Sequence, residues 1–337
     1  SVCMFVYGLH YVSIPTIINE ILVEGSIIFS LAQEKRRKDD FMLDAKMIKE
    51  KAEELGATVC RIGKVYKDED IQRDPMMILP NAKCIIGFGF AVPKGIYKAM
   101  ENGNQQYTYT TLGVKYFDEE MAEIFLLKIG AMIENNGYDA CLQKAIPNLR
   151  VKGDKTTNPE VVDTYELISD PVEEGKPAPD VIIDFGKAAK LCGLGETGLN
   201  GKIINKKYGP FMRYCFIITD APLECDEPLK ESVCDKCGEC IKACPGNAVS
   251  ENGLDTWQCS VYYKGAHKSN PFITDDFLKG NAEREQILNG TKRFNAESAR
   301  EIYKEMNFLP NTQWGYSPCL CGRKCDIACY RHIVGEL

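Results

Sequence analysis

Apolar residues recur at helical and strand spacing along most of the chain and divide it into alternating elements. Phe41, Ala45, Ile48, Ala52 and Leu55 fall on one stripe, which predicts a helix capped by Asp39 or Asp40 and stopped at Gly56. Lys83 to Ala91, KCIIGFGFA, is an apolar run of strand length, the pattern of a buried strand. Asp118 is expected to open a long helix through Met121, Phe125, Met132 and Ile133 that ends near Gly137. Tyr138 to Ile146 and Arg213 to Thr219 read as further strands. Residues 147–180, rich in Pro, Gly and charge, read as a long surface excursion, which in an ordered domain is often functional. The order of elements is that of a layered α/β domain.

The N-terminal stretch needs a separate reading. Val2 to Leu31 is mostly apolar and is followed by the charged run from Glu34 to Asp40. Pro15, Glu20 and Glu24 within it argue against a membrane span. Basic residues that follow the apolar part, instead of preceding it, argue against a secretory leader. Ile17, Ile18, Ile21, Leu22 and Ile28 sit close to one helical face, so the expectation is a helix docked on the body or on the second subunit of a homodimer. The chain then divides into an apolar helical extension at 1–38, an α/β domain at 39–224 and a cysteine-rich domain at 225–337 with a helical insertion at about 270–310.

Composition narrows the class. Hydrophobic content of 45% supports a buried core, and charged content of 26% is ordinary for a soluble, here cytoplasmic, protein. The net charge of −7 argues against nonspecific nucleic-acid binding, which draws on clustered Lys and Arg. An acidic surface is compatible with docking a basic redox partner.

The chemistry lies in the cysteines. Cys234, Cys237, Cys240 and Cys244 form one run, CDKCGECIKACPGNAV, with Pro245 directly after the last. That is the ligand run of a ferredoxin-type [4Fe-4S] cluster, in which three thiolates hold one cubane and the fourth ligates a second cluster. A second cysteine group is therefore required, and CLCGRKCDIACY supplies Cys319, Cys321, Cys325 and Cys329, with Cys259 between the groups. Zinc gives no reason for a third evenly spaced cysteine and a cysteine-proline. A disulfide framework suits a small secreted domain. Cys3, Cys60, Cys84, Cys141, Cys192 and Cys215 read as small buried hydrophobes, and Cys225 as an ordinary thiol.

Gly193-Leu-Gly195-Glu-Thr-Gly198 satisfies the dinucleotide pattern, with Asp220 downstream where a ribose-binding acid would stand. The context is wrong for a nucleotide site. The fingerprint must follow a strand and open a helix, whereas IIDFGKAAKLC before it has helical composition.

LCGLGETGLNGKIINKKYGPFMRYCFIITDAPLE, followed by the cysteine run and TWQCSVYYKG, resembles the shared C-terminal half of the epoxyqueuosine reductases and reductive dehalogenases. The resemblance spans roughly Asp184 to Tyr330 and rests on two independent motifs. It implies a nitroreductase-like α/β domain fused to a ferredoxin-like domain, two [4Fe-4S] clusters, and base-off cobalamin held between them. Carried over, it assigns Cys234, Cys237, Cys240 and Cys329 to one cluster, and Cys244, Cys259, Cys325 and one more to the other. Cys321 is the choice over Cys319 because its spacing is nearer the family's. Backbone around Gly193, Gly195, Gly198 and Asn200 would approach the cobalamin closely, since glycine has no side chain.

The implied activity is that of an anaerobic iron–sulfur oxidoreductase, fed by a low-potential donor such as ferredoxin or flavodoxin. It would pass single electrons through the clusters to cobalamin, which reduces a small organic substrate in the manner of a reductive dehalogenase. Two alternatives stand beside it: a cobalamin-free electron-transfer protein serving a partner such as a corrinoid protein, and an epoxyqueuosine reductase acting on tRNA. The proton donor is unassigned. Asp180 and Asp184 lie near the family's carboxylate segment, and Tyr107, Tyr109 and Tyr165 are loop aromatics that read first as exposed side chains. Only His10, His267 and His332 are present, without the Asp-x-His-x-x-Gly motif of histidine-ligated cobalamin.

Overall fold

Two long strands, each apolar on both faces, organise the molecule. In the computed structural model β2 (Cys84–Ala91) and β6 (Met212–Thr219) pair antiparallel from Cys84↔Thr219 to Ala91↔Met212. β1 (Val59–Lys64) pairs with β2, and β3 (Ala140–Gln143) with β6, giving an antiparallel sheet of order β1-β2-β6-β3. The model describes residues 43–145, 171, 173–177, 181–306 and 318–337. The expectations for the N-terminal apolar segment, for most of the 147–180 excursion, for Asp180 and for Tyr165 fall outside those residues. Asp44–Leu337 forms one compact unit. Among the described residues no helix is long and apolar enough to cross a membrane.

The mixed helix and sheet architecture is the α/β class expected. Successive side chains of a strand point to opposite faces, so each central strand needs two apolar layers. On one face Ile85, Met212, Tyr214, Phe216 and Ile218 pack with Ala188 and Ala189 of α6 (Phe185–Leu191). On the other, Phe88 and Phe90 meet Phe125 of α5 (Ala122–Asn135) edge to face, with centroids 4.9 and 5.0 Å away. Gly87 in β2 leaves room for Leu194, because a Cβ there would lie 2.5 Å from the leucine Cδ1.

The sequence expectations hold for the strands and shift for two helix starts. The first helix, α1 (Ala45–Glu54), is capped by Asp44, whose carboxylate accepts from Met47 N at 2.7 Å; neither Asp39 nor Asp40 is the cap. A single turn, α2 (Pro75–Ile78), and α3 (Lys94–Glu101) flank β2. The long helical run begins at α4 (Gln106–Thr110), continues through wide π-type turns at Thr111–Met121 and passes into α5. Asp118 therefore opens nothing. It is buried in the π-type stretch and paired with Arg213 of β6, whose Nε donates at 3.0 Å. The i→i+5 turns put apolar positions out of 3.6-residue phase, which hides this start from a periodicity reading.

After α6 comes a small hairpin of β4 (Glu196–Thr197) and β5 (Ile203–Ile204). The cysteine-rich part contains α7 (Glu239–Ala243), the ribbon of β7 (Val249–Ser250) and β8 (Gly253–Leu254), and α8 (Thr256–Tyr263). It continues with α9 (Arg284–Leu288), α10 (Ala296–Glu305) and α11 (Lys324–Ile333). α8, α9 and α10 share a core built on Trp257, Val261, Tyr262, Ile287, Phe294 and Ile302.

Phe88 is fully buried against Phe125. Phe88→Ala should therefore cost about 3–5 kcal/mol of stability. Anaerobic urea unfolding measures this, and an unchanged midpoint would show that the sheet core does not depend on the contact.

Candidate metal centre

Each half of the cysteine set is shaped by a short helix and a tight turn. Cys234 and Cys237 lie in the loop before α7, where Asp235 Oδ1 accepts from Cys237 N at 3.1 Å. Gly238, with φ +78°, turns the chain into α7, which carries Cys240. Cys244 follows α7, and Ala248 N points to its Sγ at 3.3 Å. Cys259 stands on α8, and Cys325 and Cys329 one turn apart on α11. The turn before α11 has positive φ at both Gly322 and Arg323, which folds Cys321 back toward Cys325.

Two cavities result. Cys234, Cys237, Cys240 and Cys329 line the first, together with Leu199, Asn200, Gly238 and His332. The second is lined by Cys244, Cys259, Cys321 and Cys325, with Pro245, Tyr262, Tyr263 and Arg323. Cys319 is absent from both linings among the described residues. It is fully buried behind Cys321, its Sγ 3.7 Å from that of Cys321. The first set holds an exposed thiol, Cys237, and beside it His332 Nε2 pairs with Asp235 Oδ2 at 2.7 Å. Val249 and Leu254 also line the second cavity.

Asn200 lines both cavities and is the wall between them. Its Nδ2 donates to Asp326 Oδ1 at 3.1 Å, and Arg323 Nε donates to Asp326 Oδ2 at 2.7 Å. Asp326 and Arg323 are both buried, which is tolerable only because the pair and the amide satisfy one another. Lys202, in the same hairpin as Asn200, is brought down to about 8 by the Arg323 guanidinium beside it and by burial.

The glycine-rich stretch serves these cavities in a way the sequence does not disclose. Glu196, an unremarked position in the Gly193–Gly198 pattern, accepts at Oε1 from Cys234 N at 3.0 Å, from Val233 N and from the Ser232 hydroxyl. Burial pushes its carboxyl up, but these hydrogen bonds and Lys190 hold it below the usual carboxylate range. The glycines are packed against the chain itself. A Cβ at Gly195 would lie 2.4 Å from Ile204 O, one at Gly198 2.2 Å from Ile204 Cδ1, and one at Gly193 2.5 Å from Glu227 O. Their missing side chains are thus required by the hairpin, and Asn200 is engaged with Asp326. The local context is helix α6 before the stretch and strand β4 within it, not a strand leading into a helix. Asp220 accepts from Asp139 N at 2.8 Å and from Asn81.

The proton-donor candidates separate. Asp184 caps α6, accepting from Lys187 N at 3.0 Å, and lines neither cavity. Tyr107 is exposed as expected, whereas Tyr109 is buried against Tyr97. Burial pushes the Tyr109 phenol up, with the Arg323 and Arg213 guanidinium groups opposing. Cys225 is half-buried, with its Sγ 3.9 Å from that of Cys84.

An antiparallel sheet with helices on both faces, joined to eight cysteines gathered in two sets of four, defines an α/β protein with a double thiol centre. No protein-family model matches the chain. Curated epoxyqueuosine reductases do match it: that of Leadbetterella byssophila is 39% identical over 74 residues, covering 22% of this chain and 24% of the relative. That of Lactococcus garvieae is 28% identical over 229 residues, covering 67% of this chain and 54% of the relative. The chain thus spans about half the length of that relative and less of the first. Among solved structures, an epoxyqueuosine reductase with an epoxyqueuosine-modified tRNA stem loop overlaps 81% of this chain and 68% of its own, at 15% identity and a TM-score of 0.44. A catabolic reductive dehalogenase overlaps 64% of this chain and 28% of its own, at 18% identity and a TM-score of 0.40. The resemblance read in the sequence is borne out: this chain is similar in sequence to curated epoxyqueuosine reductases.

Glu196 generates a direct test. Glu196→Ala removes the acceptor from the Val233 and Cys234 amides and should loosen the first cavity alone. Iron bound at the Cys234 set should become labile to chelator, with about half of the total released early. Glu196→Gln, which retains an acceptor oxygen, should fall between. Uniform iron loss from both sets would remove Glu196 from this role.

Proposed function

We propose that this protein is an iron–sulfur reductase of the epoxyqueuosine reductase kind, with one [4Fe-4S] cluster in each cysteine cavity. The observation that carries the reading is the sorting of the thiols: the two linings divide the eight cysteines into the same two sets of four that the family resemblance implies. In this reading Cys234, Cys237, Cys240 and Cys329 hold the first cluster, and Cys244, Cys259, Cys321 and Cys325 the second. The first set, with exposed Cys237, is the side on which a low-potential donor such as ferredoxin or flavodoxin delivers electrons. Asn200 separates the two centres by one side chain, so single electrons pass inward from the first to the second.

Cobalamin enters through the family resemblance, and bound beside the clusters it would supply the reacting metal. At Gly193, Gly195 and Gly198, first assigned to it, the space a side chain would take is filled by the chain itself, and Asn200 donates to Asp326, so contacts within the fold already account for these residues.

The substrate proposed is the epoxide of epoxyqueuosine in tRNA, since the curated relatives carry that name. This departs from the expectation that nucleic acid is not a partner. Net charge bears on nonspecific binding, and a relative has been solved with a tRNA stem loop. A second reading, reductive dehalogenation of a small molecule, is favoured by Tyr109, a buried phenol with Arg323 and Arg213 near it.

Anaerobically prepared protein should contain about eight irons and eight sulfides per chain. With a low-potential reductant and cobalamin it should remove one oxygen from the modified nucleoside of epoxyqueuosine-bearing tRNA, read by nucleoside mass spectrometry. Four irons or stoichiometric zinc would overturn the two-cluster assignment. Halide release from a haloaromatic, with the tRNA unchanged, would transfer the protein to the second reading.

A further inference from the structure

The closing motif carries one thiol more than two cubanes need. Cys319 is fully buried, and its position is fixed from three sides. Its backbone N donates to the buried Thr110 Oγ1 at 3.1 Å, Leu320 N donates to Tyr263 O at 2.8 Å, and Gly322 at φ +64° turns the chain between the two cysteines and the helix. Its side chain sits in an apolar cluster with Val92, Tyr97, Met100, Tyr109, Phe211 and Ile327. The sulfur partner found there is Cys321 Sγ, at 3.7 Å.

We propose that Cys319 is a positioning residue of the second centre, whose thiol donates an S–H···S hydrogen bond to the Cys321 sulfur and tunes the potential of the cluster that Cys321 holds. The inference rests on the two-cluster reading above. A ligating thiolate has no proton to give, so in a pair where either sulfur could donate, only Cys319 can. Hydrogen bonds to cluster sulfurs stabilise the reduced, more negative state and raise the reduction potential. The cage strengthens the effect, because a low-dielectric surrounding increases the worth of a polar contact. The arrangement also explains why both cysteines of the Cys-x-Cys pair are buried although only one lines the cavity.

The test is potentiometric EPR on wild-type protein and on Cys319→Ala, Cys319→Ser and Cys321→Ala, with iron counted in each. Cys319→Ala should keep the wild-type iron content and lower one of the two midpoint potentials, leaving the other in place. Cys319→Ser, which retains a hydroxyl donor, should return that midpoint toward the wild-type value. Cys321→Ala should lose or alter one cluster's signal. An unmoved pair of midpoints in Cys319→Ala overturns the proposal. So does the reverse pattern, in which Cys319→Ala loses the second cluster's iron while Cys321→Ala keeps it, since Cys319 would then be the ligand. Failure of the underlying reading shows separately, as a wild-type protein with one cluster or none.

Discussion

Asp326 is the constraint on which the double centre depends. Its carboxylate is fully buried between two sets of thiols, a placement that would cost about several kcal/mol if it were unpaired. Two partners satisfy it: Arg323, three residues earlier in the same turn, and the Asn200 amide, which comes from 126 residues away in the chain. The first contact fixes the turn that swings Cys321 toward Cys325. The second draws the hairpin between the cavities. Removing either partner would leave a buried charge or an unsatisfied amide, so the cavity wall and the cysteine turn stand or fall together.

Much of this was legible in the sequence, and what was not has a common cause. The strands at Lys83–Ala91 and Arg213–Thr219 announced themselves because a strand covered on both faces must be apolar throughout. The cysteine runs were legible because ligand spacing is a local property of the chain, whereas their division into two sets was implied by the family resemblance. Asp118 misled because an acid before an apolar stripe looks like a cap, whereas here it meets Arg213 across the fold in a stretch of π-type turns. Glu196 could not have been found, since its partners stand more than thirty residues on and the glycines around it suggested a nucleotide loop. Gly195 and Gly198 pointed to a cofactor for the same reason. Their need is steric and internal, set by Ile204 of the facing strand.

The hairpin also explains how an α/β sheet can influence a cysteine site with which it shares no motif. Leu194, immediately before it, packs beside Gly87 and Phe216 of the sheet, and Asn205, immediately after, donates to Leu194 O at 2.7 Å. Both ends of the hairpin are thereby tied to the sheet core. The hairpin then makes two contacts of different kind, Glu196 at its base to the amides at Cys234 and Asn200 in its turn to Asp326. The first holds the loop of the first cavity, and the second holds the wall between the two. Because both leave from one rigid ribbon, a displacement of the sheet edge would reach both sets of thiols at once. The α/β body thus acts as the fixed frame that spaces the two centres.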